Sequence, residues 1–247
     1  MSNYYEDSRL SASDIKAYVN GGFPGLANAR TKEDTPALLR GRAIHSAILT
    51  PSEFEKTYIL KDWDGRTAEG KARAKEAAER GLVCLSAEDW AACIWAREQT
   101  AGINFGETEK EFYTEEEKCK VDGIIQTEAT ASLWEIKTIS DINNAERAFW
   151  DMAYDIQIGH YAKLTGASVA KFLFVAPGQF AMRIIQIEAD ALASFREDAA
   201  RYASEILDAR RAGIAEAGKN AVRLPSVKIG TLPPEWIAAR RALFTGE

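Results

Sequence analysis

Two acidic residues and a lysine lie close together in this sequence. Glu135 and Lys137 are two residues apart in a segment that has the composition of a strand. Residues two apart in a strand project from one face, so Trp134 and Ile136 are expected to face the other way, into apolar packing. Asp122 lies in the preceding apolar segment, and a turn near residues 127–131 would fold it back beside Glu135. The sequence therefore predicts a β-hairpin that brings two carboxylates and an ammonium to one site.

Such a triplet is suited to phosphodiester hydrolysis. Two carboxylates at one site repel each other unless a cation lies between them, and oxygen ligands favour Mg²⁺ or Mn²⁺ over zinc. A lysine beside the cation can orient a water molecule, help to deprotonate it and neutralise charge on a phosphoryl oxygen. An exposed hairpin with a Glu–Lys pair on its solvent face is the alternative that this pattern leaves open.

Two further segments contain polar residues at helical spacing. The first is a predicted helix that contains His45, one of two histidines, and ends at Pro51. In the second, Gln157 and Tyr161 are four residues apart, so one helical face carries both. Taken singly, such a histidine is more often a packing or surface residue, and Gln157 with Tyr161 would be a half-buried polar pair.

Taken in order, these residues resemble the motifs of the PD-(D/E)XK nuclease superfamily. The likeness is to the branch that includes RecE-type exonuclease VIII, lambda exonuclease, RecB nuclease domains and CRISPR adaptation nucleases, and it extends over residues 8–210. One departure is that Asp122 is followed by glycine rather than preceded by proline. The motifs Gly-x-x-x-His, Asp, Glu-x-Lys and Gln-x-x-x-Tyr match Gly41 to His45, Asp122, Glu135 to Lys137, and Gln157 to Tyr161.

The resemblance implies a role for each motif residue. The metal, Mg²⁺ or in its place Mn²⁺, would be held by His45, Asp122, Glu135 and the backbone carbonyl of Ile136. Lys137 would be the catalytic lysine.

Gln157 and Tyr161 would complete the catalytic set by holding the DNA or the site. The resemblance also implies a 5′ to 3′ exonuclease on linear duplex ends, encoded by a phage or prophage. It would generate 3′ single strands for an annealing protein in recombination and would form a ring-like homo-oligomer.

The net charge of −6 works against simple coating of DNA, so local basic clusters must compensate. Arg40 and Arg42, near His45, are predicted DNA contacts. Arg9 and Ser13 resemble the lambda exonuclease segment that meets a terminal 5′ phosphate, with plain helix capping by Ser11 or Ser13 as the alternative. Other basic groups, each of which could be only a solvated face, are Lys71, Arg73, Lys75, Lys219, Arg223 and Lys228.

Length and composition favour one domain over residues 1–247, with an irregular basic tail over residues 218–247. The predicted fold is α/β, with a mixed central β-sheet flanked by helices as in the restriction-endonuclease-like core. No apolar run is long enough to span a membrane and the N-terminus is polar, so a cytoplasmic protein is expected. The scattered Cys84, Cys93 and Cys119 lack the spacing of an iron–sulfur cluster, and none is expected.

The element boundaries follow from periodicity and turn residues. Helices are predicted over residues 11–20, 36–50, 67–80, 86–101, 141–151, 154–165 and 189–216, and a loop over residues 22–35. Strands are predicted over residues 108–114, 118–126, 132–138, 171–176 and 182–187.

Two other functions remain open. One is a structure-specific or repair endonuclease on the same scaffold, distinguished by whether a covalently closed circle is cut. The other is a catalytically inactive DNA-binding recombination protein, against which the full acid, acid and lysine set argues.

Overall fold

The computed structural model describes residues 4–28 and 35–213. The tail over residues 218–247, with the basic group Lys219, Arg223 and Lys228, lies outside the described residues. The described helices are α1 (Ala12–Asn28), α2 (Pro36–Leu49), α3 (Pro51–Thr57), α4 (Ala68–Glu79), α5 (Ala87–Thr100), α6 (Ala145–Asp151), α7 (Tyr154–Thr165) and α8 (Ala189–Arg211). The strands are β1 (Tyr58–Leu60), β2 (Val83–Leu85), β3 (Glu107–Tyr113), β4 (Lys118–Gln126), β5 (Ala131–Thr138), β6 (Val169–Ala176) and β7 (Ala181–Ile187).

The central sheet has five strands in the order β3-β4-β5-β6-β7. All neighbours are antiparallel except β5 and β6, which are parallel. Parallel neighbours need a crossover connection, and α6 and α7 supply it here. The predicted mixed sheet flanked by helices is thereby confirmed.

Each face of the sheet buries its own apolar cluster. On one face, Phe172 of β6 belongs to a cluster with Ile158 of α7 and Phe195 of α8. On the other, Trp134 and Ile136 of β5 lie in a cluster with residues of α2 and α5. The expectation that these two residues face apolar packing is confirmed. Because both faces are covered, β5 holds its polar residues between two layers of helices.

Helices α7 and α8 approach each other very closely at Gly159. A Cβ atom at this position would lie 2.1 Å from the backbone oxygen of Phe195. Only glycine permits such an approach. Residues Tyr154 to Ala162 of α7 are all buried, so this helix lies between the sheet and α8.

Most predicted boundaries agree with the structure, and four regions differ. Helix α8 ends at Arg211, whereas the prediction extends it to residue 216. Helix α1 continues to Asn28 through a kink at Gly22 (φ 61°, ψ −156°), where a loop was predicted. The structure also contains α3 and a two-stranded parallel sheet of β1 and β2, neither of which was predicted. Finally, the predicted helix over residues 141–151 begins as a 3-10 turn at Ile142–Asn144.

None of the helices described has the length and apolar character needed to span a membrane.

Candidate active site

The β4–β5 hairpin carries the two predicted acids where its strand pairing ends. The antiparallel ladder runs from the turn to the pair Gly123↔Trp134. Beyond that pair, Oδ2 of Asp122 accepts a hydrogen bond of 2.7 Å from the backbone N–H of Ile136. The Asp122 side chain thus takes the place of a strand-to-strand hydrogen bond next to Glu135.

Gly123, directly after Asp122, is a point of close backbone approach. A Cβ atom here would lie 2.6 Å from the carbonyl oxygen of Phe105 and 3.3 Å from Cβ of Trp134. A larger residue could be accommodated only if the backbone moved. The glycine therefore helps to fix the position of Asp122.

Glu135 is 2% exposed, and its two oxygens have different surroundings. Oε1 accepts hydrogen bonds of 2.6 Å from Nζ of Lys137 and of 2.6 Å from Nε2 of Gln157. Oε2 is buried without a hydrogen-bond partner among the described residues. A buried polar atom without a partner is costly, which makes this oxygen a natural ligand for a cation.

Helix α7 presents Gln157 and Tyr161 to the hairpin. Besides its bond to Glu135, Nε2 of Gln157 lies 3.1 Å from Oη of Tyr161. The amide oxygen of Gln157 accepts a hydrogen bond of 3.1 Å from Nζ of Lys16 in α1, which also lies 4.4 Å from the centroid of the Tyr154 ring. Lys16 therefore orients the amide so that its nitrogen faces Glu135. Sequence reasoning missed Lys16, because 141 residues separate it from Gln157 and no local pattern links them.

His45 reaches the hairpin from α2. Its Nδ1 lies 3.6 Å from Oδ1 of Asp122. The helix is held in place by Ile44 and Ala47, which are fully buried in the cluster on the β5 face. The structure thus brings together residues from β4, β5, α2 and α7, as the motif order predicted.

The surroundings shift the pKa values of the two acids in opposite directions. Burial raises the pKa of Glu135, and the charge of Asp122 raises it further, to about 7. Burial also disfavours ionised Asp122, but His45, Lys137 and the N–H of Ile136 outweigh it and hold the pKa of Asp122 below its ordinary value. At neutral pH, Asp122 is therefore ionised, whereas Glu135 is part protonated.

The two bases at the site compensate this negative charge. Burial alone would lower the pKa of His45 and of Lys137. The charges of Asp122 and Glu135 outweigh burial, so the pKa values of both bases lie above their ordinary values. Because only a neutral imidazole can ligate a metal, a cation at Asp122 would compete with protonation of His45.

The residues present fit a divalent cation. His45, Glu109 and Asp122 each offer a ligand atom, and these atoms lie within 4.8 Å of one another. Two carboxylate oxygens and one imidazole nitrogen suit Mg²⁺ or Mn²⁺, and the unpartnered oxygen of Glu135 would be a further ligand. Glu109 was not predicted, since nothing in its local sequence distinguishes it from other acids of β3. For Ile136 the structure records the N–H bond to Asp122, and ligation by its carbonyl stays a prediction.

Of the four predicted DNA contacts, one lies close to this site. Ser13 lines a cavity of about 310 Å³ together with Tyr161 and Lys118. Arg9 instead pairs with Asp7 at 3.3 Å.

The other two arginines lie on α2. Arg40 forms an ion pair with Asp89 of α5. Burial raises the pKa of the Tyr58 phenol, and the nearby charge of Arg42 opposes that rise. A DNA contact by either arginine stays a prediction.

The hydrogen bonds at the start of α1 show which N-terminal serine caps this helix. The backbone N–H and Oγ of Ser11 both donate to Oδ2 of Asp14, at 2.9 and 2.8 Å, and the N–H of Asp14 donates to Oγ of Ser11 at 3.3 Å. These reciprocal bonds form a capping box. Capping at the start of α1 thus belongs to Ser11 rather than to Ser13.

Two of the three basic residues predicted on α4 form ion pairs with acids. Arg73 lies 3.4 Å from Asp62 and 3.2 Å from Glu69, and Lys75 lies 3.7 Å from Glu79. These pairs match the alternative of a solvated face for this helix.

Comparison with known proteins found similar solved structures. An alkaline exonuclease from Laribacter hongkongensis is 16% identical, with 86% of this chain and 95% of that chain covered and a TM-score of 0.40. Its complex with dAMP is 15% identical over the same shares, with a TM-score of 0.39. A phage-related exonuclease from Haemophilus somnus 129PT is 12% identical, covering 83% of this chain and 99% of that one, with a TM-score of 0.32.

Neither the protein-family models nor the curated proteins contain a match to this chain. All three TM-scores lie below 0.5.

Proposed function

We propose that this chain is a metal-dependent deoxyribonuclease that digests linear duplex DNA from its ends in the 5′ to 3′ direction. The observation that carries the proposal is the convergence of Asp122, Glu135 and Lys137 in one buried site, where an oxygen of Glu135 has no partner among the described residues. A solvent-facing Glu–Lys pair, the alternative reading of the hairpin, would not be buried.

Asp122, Glu135 and His45 would hold the metal, with the carbonyl of Ile136 as a further ligand. When bound, Mg²⁺ polarises a scissile phosphate and lowers the pKa of a water molecule. The neutral imidazole of His45 is the form that can ligate, so metal binding competes with protonation of this ring. Asp122 is already ionised, and it is fixed by the N–H of Ile136.

Lys137 would act on the attacking water and on the phosphate. Its ammonium lies 2.6 Å from Oε1 of Glu135, so it is held at the edge of the ligand set. From there it can orient a water molecule and stabilise negative charge on a phosphoryl oxygen. Gln157 shares the same oxygen of Glu135 and thereby keeps that oxygen, rather than Oε2, occupied by protein donors.

The DNA end would lie at the start of α1. Ser13 lines the same cavity as Tyr161, whose hydroxyl is within 3.1 Å of Gln157. A terminal 5′ phosphate placed there would be close to the reacting groups, and Arg9, four residues before Ser13 in the chain, would supply positive charge to it. By resemblance alone, we extend the proposal to a ring-like homo-oligomer in a phage or prophage recombination system that passes 3′ strands to an annealing protein.

Digestion of end-labelled linear duplex, compared with a covalently closed circle of the same sequence, tests the proposal. In Mg²⁺ the linear DNA should be degraded from its 5′ ends while the circle stays intact. Excess chelator and the Glu135→Gln variant should each stop digestion. Cutting of the circle would instead identify an endonuclease on this scaffold, and wild-type activity in chelator would refute metal dependence.

A further inference from the structure

Glu109 has an unusual backbone conformation in the middle of β3. Its φ is +55°, in the left-handed region that residues other than glycine rarely adopt. The strand is paired with β4 on both sides of it, through Thr108↔Gly123 and Lys110↔Val121. Glu109 is thus opposite Asp122, at the one interruption of an otherwise regular ladder. Strained residues of this kind persist where the surrounding structure holds them.

The side chain of Glu109 reaches the acids and the histidine of the candidate site. A carboxylate oxygen of Glu109, Nδ1 or Nε2 of His45 and a carboxylate oxygen of Asp122 lie within 4.8 Å of one another. Oδ1 of Asp122 is the oxygen nearer to His45, because Oδ2 is taken by the N–H of Ile136. The cluster therefore offers an imidazole nitrogen and two oxygens on the β3 side of Asp122.

The partner of Glu109 is Lys120, two residue pairs along the ladder. The two side chains form an ion pair and are 35% and 26% exposed, respectively. The lysine compensates a carboxylate that would otherwise face Asp122. Strand β5, on the other side of β4, carries Glu135, whose Oε2 is buried without a partner among the described residues. The strand of Asp122 therefore lies between two strands that each carry a carboxylate. Glu109 is paired with a lysine, and Glu135 has one oxygen without a hydrogen-bond partner.

We propose that Glu109 is a ligand for a divalent cation, which it holds together with His45 and Asp122, and that Lys120 substitutes for this cation in the metal-free protein. The inference rests on the proposed metal-dependent function of the same site and adds to it a residue outside all four sequence motifs. Loading of the metal breaks the Glu109–Lys120 pair, because the carboxylate then binds the cation.

Binding of Mn²⁺ to the chelator-treated full-length protein, measured by electron paramagnetic resonance of free Mn²⁺ and by calorimetry, tests this role without any turnover. Glu109→Gln should weaken Mn²⁺ binding by about tenfold or more, since loss of even a supporting residue of a metal site costs about 10- to 100-fold. Lys120→Met should strengthen it, because the competing ammonium is gone. Glu107→Gln, which removes an exposed carboxylate of the same strand paired with Lys110, is the matched control and should leave binding unchanged.

A second variant separates a ligand from a structural residue. Glycine adopts a φ of +55° without strain, so Glu109→Gly should unfold at the same or a higher temperature than the wild type while it loses Mn²⁺ affinity. Unchanged Mn²⁺ affinity in both Glu109 variants, or weaker binding in Lys120→Met, would overturn the proposal.

Mn²⁺ binding by the wild type distinguishes failure of the role of Glu109 from failure of the proposed function. If the wild type binds Mn²⁺ and Glu135→Gln weakens binding while Glu109→Gln does not, only the role of Glu109 fails. If the wild type binds no Mn²⁺ at all, the proposed metal-dependent function fails with it.

Discussion

Glu135→Gln should stabilise the metal-free protein at alkaline pH while it removes activity. In the folded protein, burial and the charge of Asp122 raise the pKa of Glu135 from 4.5 to about 7. At roughly 1.4 kcal/mol per pH unit, this rise corresponds to about 3 kcal/mol of unfolding free energy. Glutamine keeps an oxygen that can accept from Lys137 and Gln157, and its amide nitrogen replaces the unpartnered Oε2.

The pH dependence of this effect follows from the direction of the shift. Because the folded-state pKa lies above the unfolded value, the contribution of Glu135 to stability is fully present below pH 4.5 and is lost as the pH rises through 7. The variant does not titrate at this position. Its advantage should therefore approach roughly 3 kcal/mol at pH 8 and be mostly gone at pH 5.

Urea unfolding at pH 5 and pH 8, in chelator, measures both quantities. Asp122→Asn is the matched control, because the pKa of Asp122 is lowered and loss of its charge removes a partner of His45 and Lys137. It should destabilise the protein at pH 8, opposite in sign to Glu135→Gln. A Glu135→Gln variant that is less stable than the wild type at pH 8, or whose stability difference is the same at both pH values, would refute this account.

Four further outcomes are expected. Lys137→Ala should slow DNA cleavage by about 10² to 10³, in single-turnover assays, since it removes one strong electrostatic contact to the transition state. Ca²⁺ should support DNA binding without turnover, in a gel-shift assay run beside a digestion assay, because the larger ion relaxes the ligand geometry. Arg9→Ala and Ser13→Ala should slow digestion of 5′-phosphorylated ends much more than of 5′-hydroxyl ends, and equal slowing of both would contradict end recognition. Burial lowers the pKa of His160, so the stability it contributes should be present above pH 6.5 and lost below it; urea unfolding of His160→Gln should show a smaller loss between pH 7 and 5 than the wild type.

The hairpin could be predicted because its signals are local. Alternation of polar and apolar residues in β5 determines the face of the sheet on which Glu135 lies. The short turn between β4 and β5 determines which residue of β4 lies beside it. Helix α7 was equally accessible, since Gln157 and Tyr161 are neighbours on one helical face. The joining of these segments with His45, by contrast, came from the order of motifs and not from any local pattern.

The parts that were missed depend on contacts between distant segments. The left-handed backbone of Glu109 is a property of its place in the sheet, and a glutamate in a strand carries no sign of it. Strands β1 and β2 are three residues each and pair across a helix, so neither has a detectable period. Gly22 and Pro24 are of the residue types that usually end a helix, so the sequence predicts a loop there. In the structure the helix continues beyond the kink at Gly22, because a proline is compatible with the first turn of a new helical segment.

The close approach of Gly159 to Phe195 affects the order in which parts of the chain can fold during synthesis. Helix α7, which carries Gln157, remains uncovered on one side until α8 has been synthesised. At roughly 5–20 residues per second, the segment between these helices takes about one to five seconds to make. We therefore expect the acids of the hairpin to meet first, and their partner amide to be fixed only after α8 has been synthesised.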